Sequence, residues 1–153
     1  MKTHNDLEFE VVRLHKDDIK WFVKLIELFH EVFESDDKTI ADKTHLQKLL
    51  GKEGFIALVA TQGEKIIGGL TAYEMPLYNS YGSEVYIYDM AVDMEYQRKG
   101  IGKGLIAELK KVCINKNIKN IFVEAHATDR YAVDFYRSTG GNPEEVVHFN
   151  FEL

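Results

Sequence analysis

The chain is poor in residues that cross-link or break a polypeptide: its 153 residues include one cysteine, Cys113, and two prolines, Pro76 and Pro143. A single cysteine excludes a disulfide within the chain and suits a reducing compartment. No repeat, low-complexity tract or linker rich in Pro, Gly and Ser interrupts it, so one domain is expected over residues 1–153. No apolar run approaches the ~20 residues that span a bilayer. The opening MKTHNDLEFE turns acidic where a secretory signal needs its apolar stretch. A cytoplasmic protein with no membrane association is the expectation. Positive charge is also in deficit, with 19 Lys and Arg against 25 Asp and Glu, a formal charge of −6. Nucleic acid is a poor partner for such a chain, because phosphates demand cations. A cationic ligand suits it better. The six histidines show no metal-ligand spacing, so no metal is expected.

What is present is ordinary for a globular domain: 45% hydrophobic and 29% charged residues. Leu7 to Leu14 reads as a strand. Lys16 to Phe33 places Trp21, Leu25, Leu28, Phe29 and Val32 at helical spacing, and Thr39 to Leu50 reads as a second helix stopped near Gly51. Phe55 to Thr61 and Lys65 to Tyr73 are β-rich runs joined by Gln62-Gly63-Glu64, a hairpin signal. Met75 to Ser83 reads as a loop and Glu84 to Val92 as a strand. A helix follows with Ile101, Leu105, Ile106, Leu109, Val112 and Cys113 on its buried face. Lys119 to Ala125 reads as a strand, Tyr131 to Thr139 as a short helix and Glu145 to Phe151 as a last strand. This order predicts an α/β (α+β) fold, a mixed sheet with helices on both faces.

The segment that carries chemistry runs from Tyr88-Asp89-Met90-Ala91-Val92 through Gln97-Arg98-Lys99-Gly100-Ile101-Gly102-Lys103-Gly104. It is a strand, a short turn and a helix opening on glycines. Amides at a helix start lack partners within the helix and, with the helix dipole, form an anion site. Gly100 and Gly102 let a diphosphate approach the backbone, and Arg98, Lys99 and Lys103 add positive charge. A P-loop fails the letters, having Gln97 and Gly104 where it needs Gly and Ser or Thr; a dinucleotide fingerprint fails at Leu105. A glycine-rich turn that merely starts a helix would read the same way.

Gln97-x-x-Gly100-x-Gly102 after the Ala91-Val92 strand end resembles the coenzyme A signature of the GNAT superfamily of N-acetyltransferases, and Asp129-x-x-Ala132-x-x-Phe135-Tyr136-x-x-x-Gly140 resembles a second block of that family. The resemblance implies a GNAT fold of about six strands flanked by about four helices, with parallel strands 4 and 5 splayed apart. It also implies acetyl-CoA as co-substrate. The cofactor would be held by Met90, Ala91, Val92, Gln97, Arg98, Lys99, Gly100, Ile101, Gly102, Lys103, Asp129 and Ala132. Asparagine is common in the family at the position of Asp129, so that contact departs from the pattern. Tyr136 matches the tyrosine that protonates the departing thiolate, a role a neutral phenol suits; an aromatic packed under a short helix is the other reading. Amine attack on the thioester is direct, leaving Cys113 as a small core residue.

A narrower resemblance rests on Phe55-Ile56-Ala57-Leu58, Glu84-x-Tyr86-Ile87-Tyr88-Asp89-x-Ala91-Val92 and Glu144-Glu145-Val146-x-His148-Phe149, which look like the gentamicin-acetylating aminoglycoside 3-N-acetyltransferases. It implies a polycationic acceptor, and Asp89 matches that group's active-site aspartate. Regular alternation would set Asp89 among Val85, Ile87 and Ala91, where an unpaired carboxylate is costly. A base, an electrostatic binder of ammonium and a paired structural acid all stay open for it. Glu31, Glu34, Asp36, Asp37, Glu124 and Asp129 are further acids for the remaining ammonium groups, with a solvated surface as the other reading for the first four. His126 and Ala127 stand where this group has an acid shortly after the fifth strand. Alternating Val147, Phe149 and Phe151 on a final edge strand predict a homodimer. Three functions remain open: aminoglycoside 3-N-acetylation, acetylation of a polyamine, small metabolite or peptide amino terminus, and a non-catalytic coenzyme A-binding module.

Overall fold

The computed structural model describes residues 7–153; residues 1–6, on which the reading of an acidic opening partly rests, lie outside them. The elements are β1 (Glu10–Arg13), α1 (Ile19–Val32), α2 (Lys43–Leu50), β2 (Phe55–Gln62), β3 (Lys65–Pro76) and β4 (Ser83–Val92). A single 3-10 turn (Met94–Tyr96) leads to α3 (Ile101–Ile114), β5 (Ile118–Val123) and α4 (Arg130–Ser138). The strands form a five-stranded sheet in the order β1-β2-β3-β4-β5. The first three pairings are antiparallel and β4–β5 is parallel, with α3 as the crossover that a parallel pair needs.

Both early helices start later than their apolar spacing suggests, because aspartates close turns first. The Asp18 carboxylate accepts from the His15 amide at 2.8 Å, and α1 begins only at Ile19. The Asp37 carboxylate accepts from the Thr39 amide, and Asp42 caps α2 by accepting from His45 at 2.9 Å. A side chain bonded to a nearby amide competes with the helix until it can serve as its cap.

Gly68 and Gly69 show how the layers are arranged. A Cβ on Gly69 would collide with Leu25 of α1 and meet the Leu58 carbonyl at 2.7 Å; one on Gly68 would meet Ile101 of α3 at 2.9 Å. Neighbouring strand residues point to opposite faces, so α1 and α3 cover the two faces of the sheet as expected. Leu25, Leu58, Ile67, Leu70, Leu105 and Leu109 are wholly buried between them, each contributing about 1.5–3 kcal/mol.

Residues Glu124–Leu153 form a second compact unit. Asp129 caps α4, its carboxylate accepting from the Ala132 amide at 3.0 Å, and Gly140 (φ +95°) follows the helix end. The strand expected over Glu145–Phe151 does not form, so the sheet has five strands. Val147, Phe149 and Phe151 remain exposed. Alternation supplies a strand's pattern, but a strand exists only where a neighbour takes its hydrogen bonds.

Replacing Gly69 by Ala forces Leu25 and the Leu58 carbonyl apart in a packed layer. The expected loss is about 1–3 kcal/mol, read as a lower denaturant midpoint with an unchanged slope.

Candidate active site

The turn after β4 is held from several sides. The Asp93 amide donates to the Ile67 carbonyl at 3.0 Å, and its carboxylate accepts from the Glu95 amide at 2.9 Å while pairing with Lys65 at 3.0 Å. The Gln97 side-chain amide donates to the Val92 carbonyl at 3.2 Å, tying the turn back to the strand end. Arg98 then adopts φ +64° and Gly100 φ +85°, and α3 begins at Ile101. The left-handed conformation costs a non-glycine residue roughly 1–2 kcal/mol, so Arg98 stores strain that its neighbours maintain. The first intrahelical bond runs from the Gly104 amide to the Gly100 carbonyl at 2.9 Å. The amides of Ile101, Gly102 and Lys103 therefore precede it, and no side chain caps them. A glycine at the cap and donor amides at a helix start fit a phosphate group.

The side chains around this turn divide their work. The Lys99 ammonium donates to the Glu95 carbonyl at 2.8 Å and lies over the Tyr96 ring at 5.2 Å, so it braces the turn. The Ile101 side chain is buried under the sheet, leaving its amide as what it can offer. Lys103 is exposed in the first turn of α3.

The sheet opens beside the turn. The parallel register runs from Ser83↔Ile118 to Ile87↔Val123 and stops, while β4 continues to Val92 on its β3 side. Beyond Ile87 the outer edge of β4 through Met90, Ala91 and Val92 is uncommitted to β5. An extended, amide-bearing chain can add to such an edge.

Asp89 lies within that stretch, but on the face opposite to the one regular alternation predicts. Ile87 pairs with Ala72 and Asp89 with Thr71, so Tyr88 is an extra residue. Such a bulge turns two consecutive side chains to one side. Asp89 therefore shares a face with Thr71, Tyr73 and Tyr86, not with Val85 and Ile87. The Tyr88 ring meets Tyr73 at 5.7 Å and Tyr86 at 6.0 Å, both edge-on, which puts it on this face too. Among the described residues the half-buried Asp89 carboxylate makes no hydrogen bond or ion pair. Burial alone pushes its pKa up. The Tyr73 phenol is pushed up by burial, then by Tyr88 and Asp89.

The other acids do not all gather here. Glu31 lines an open groove of about 510 Å³ with Lys24, Glu27, Glu64, Lys65 and Asp93, which Asp89 does not line. Glu34 (φ +51°) and Asp36 are exposed after α1. Asp37 is held below the usual carboxylate range by the Thr39 hydroxyl and amide. In the second unit, Glu124 lies 3.5 Å from the His148 ring, His126 is exposed, and Asp129 is engaged in capping. Tyr136 is half-buried in α4 beside Phe135, with ring centroids 5.2 Å apart. Sequence reasoning did not single out Tyr73 or Tyr88; aromatics two apart in a strand were the available signal.

Burial favours the protonated form of Asp89, so the folded chain keeps that proton to higher pH than the unfolded chain. Its contribution to stability falls as pH rises from the ordinary 3.8 through the raised value, and stays reduced above it. Asp89→Asn should therefore raise Tm at pH 7, with the gain shrinking as pH is lowered to the ordinary value; thermal melts across pH check this.

Comparison with known proteins gives this geometry its context. The model of the acetyltransferase (GNAT) family matches residues 22–140. The chain is 44% identical, with a TM-score of 0.92, to the aminoglycoside acetyltransferase meta-AAC0020 from an uncultured soil metagenomic sample, solved in complex with sisomicin. That match covers 95% of this chain and 96% of the other. A second aminoglycoside acetyltransferase from such a sample, HMB0005, is 32% identical with a TM-score of 0.92, over 96% of this chain and 99% of its own. Among curated proteins, the GCN5-related N-acetyltransferase 2, chloroplastic, of Arabidopsis thaliana is 34% identical over 87 residues, 56% of this chain and 31% of that protein. The family uses acetyl-CoA, and the fold, with its parallel β4–β5 pair and four helices, is the one the resemblance implied. With its family model matched from Phe22 to Gly140, the chain belongs to the GNAT family of acetyltransferases.

Proposed function

We propose that the chain transfers an acetyl group from acetyl-CoA to the 3-amino group of aminoglycosides of the gentamicin type, and so confers resistance to them. The observation that carries this reading is the half-buried Asp89 carboxylate, which has no hydrogen-bond or ion-pair partner among the described residues, beside the edge of β4 that β5 leaves uncommitted. The 44% identity to an aminoglycoside acetyltransferase solved with sisomicin supports the choice of acceptor, as does the formal charge of −6. The single cysteine suits the cytoplasm as the place of action.

In this reading the helix-start amides of Ile101, Gly102 and Lys103, with Arg98, hold the diphosphate, and the backbone from Met90 to Val92 holds the pantetheine amides. Asp89 draws in the acceptor ammonium and takes its proton; the raised pKa brings the carboxylate nearer to that task. The free amine attacks the thioester carbonyl, the N–C bond forms and the C–S bond breaks. Tyr136 gives its proton to the leaving thiolate, the second proton that the nitrogen sheds as the amide forms restores the phenol, and the proton on Asp89 passes to solvent. Glu124 and Asp129 serve further ammonium groups.

Coenzyme A release measured with gentamicin, kanamycin, spermidine and a peptide tests the acceptor, and NMR of the gentamicin product should find acetyl on the 3-amine. Turnover of spermidine or the peptide with no aminoglycoside turned over would defeat the reading; acetyl on another amine would defeat its regiochemistry. Tyr136→Phe should lower kcat by roughly 10²–10⁴-fold with a modest change in KM. An unchanged kcat removes Tyr136 from the mechanism.

A homodimer belongs to the same reading. Among the described residues β5 ends the sheet with one side unpaired, and Val147, Phe149 and Phe151 are at least 74% exposed; both features call for a cover. Light scattering at micromolar concentration should give twice the chain mass, and a monomer there refutes it.

A further inference from the structure

The face that carries Asp89 also carries a row of rings that climbs out of the core. Phe55 is 5% exposed, Tyr73 36% and Tyr88 60%. Successive centroids lie 5.2 and 5.7 Å apart. Tyr86 supports the outer end and itself stacks on Phe122 at 5.0 Å. The inner rings are held by packing, whereas Tyr88 presents most of its surface to solvent. Lys24 lies over Trp21, and Lys65 and Lys99 lie over Tyr96.

Regular alternation would separate Tyr88 and Asp89 on opposite faces; the bulge sets a ring and a carboxylate side by side. The two groups ask for different things of a ligand. A π face takes the C–H side of a saturated ring or a cation, and the carboxylate takes an ammonium. One class of small molecule offers both at neighbouring atoms: a saturated ring that bears amines.

We propose that Tyr88, backed by Tyr73 and Tyr86, is a shelf for an amine-bearing sugar or cyclitol ring of the acceptor, laid so that an ammonium on that ring meets Asp89. The proposal rests on the aminoglycoside reading above and adds to it the residue that recognises the ring. It makes Tyr88 a determinant of specificity, since a linear polyamine reaches the carboxylate but has no ring to stack.

The test uses the full chain and kanamycin in two arms. In the first, the aromatic resonances of the protein are saturated without co-substrate and transfer to the kanamycin ring protons is recorded. The parent and Tyr88→Phe should show transfer, and Tyr88→Leu should lose most of it. In the second, coenzyme A release is followed, and Tyr88→Leu should raise KM for kanamycin about three- to tenfold with kcat within about twofold of the parent. Tyr88→Phe should match the parent, and any KM for spermidine should not move. Transfer in the parent without turnover keeps the shelf and sinks the acetyl-transfer reading. Turnover without aromatic transfer, or with a KM that Tyr88→Leu leaves unchanged, overturns the shelf and leaves that reading standing. Equal losses in Tyr88→Phe, or an equal rise for spermidine, also overturn the shelf, and neither transfer nor turnover overturns both.

Discussion

β4 is bonded to β3 along its length but to β5 only as far as Ile87, and opposite Thr71 it carries one residue more than the ladder accommodates. Both irregularities fall within a few residues, and the candidate site follows from them. Ending the parallel ladder frees backbone donors and acceptors without exposing the core, because Ala91 stays buried from the other side. The bulge turns Asp89 away from the face of Val85 and Ile87, where a carboxylate without a partner would face apolar neighbours on α3's side of the sheet. Removing the bulge would exchange the two faces for every residue beyond it.

The phosphate turn depends on the same strand. Val92 and Asp93 are fixed to the sheet, through the Gly68 pairing and the Ile67 carbonyl, before the chain leaves it. Gln97 and Lys65 then hold the turn from either side. The close approach of Gly68 to Ile101 fixes the start of α3 against β3. The helix-start amides and the open edge of β4 are thereby positioned on one rigid support, as a site that must hold both ends of an extended ligand requires.

The sequence made the turn legible because its chemistry is local: glycines at a helix start, a strand before them and cations around them need no partner strand to be read. Helix faces were legible for the same reason, and their late starts trace to Asp18 and Asp37, whose side chains hold turns ahead of α1 and α2, and to Asp42, which caps α2. The face of Asp89 was not legible. A bulge is a relation between two strands, and Tyr86-Ile87-Tyr88-Asp89 alternates correctly when taken alone. The strand expected over Glu145–Phe151 failed for the same kind of reason, since its pattern is local and its hydrogen-bond partner is not. The place of Asp129 was legible too: its carboxylate caps α4, the task its position before a helix implies on physical grounds alone.

A carboxylate that burial makes more basic is a cost to the folded chain at neutral pH. No ion pair among the described residues offsets it, although Lys65, Lys111 and Lys116 are paired with acids elsewhere. Pairing Asp89 internally would have stabilised the fold and removed its use, because a carboxylate already bound to a lysine has little to gain from an ammonium ligand. Left unpaired, it gains most from a ligand that brings positive charge and also excludes water. Under the proposed function that gain is linked to the proton: a cation beside Asp89 lowers the pKa that burial raised, so acceptor binding and proton release from this carboxyl are coupled. The ring beside it adds a second contact that carries no such linkage. Recognition of charge by Asp89 and of shape by Tyr88 would then respond differently to pH, although both arise from a single inserted residue in β4.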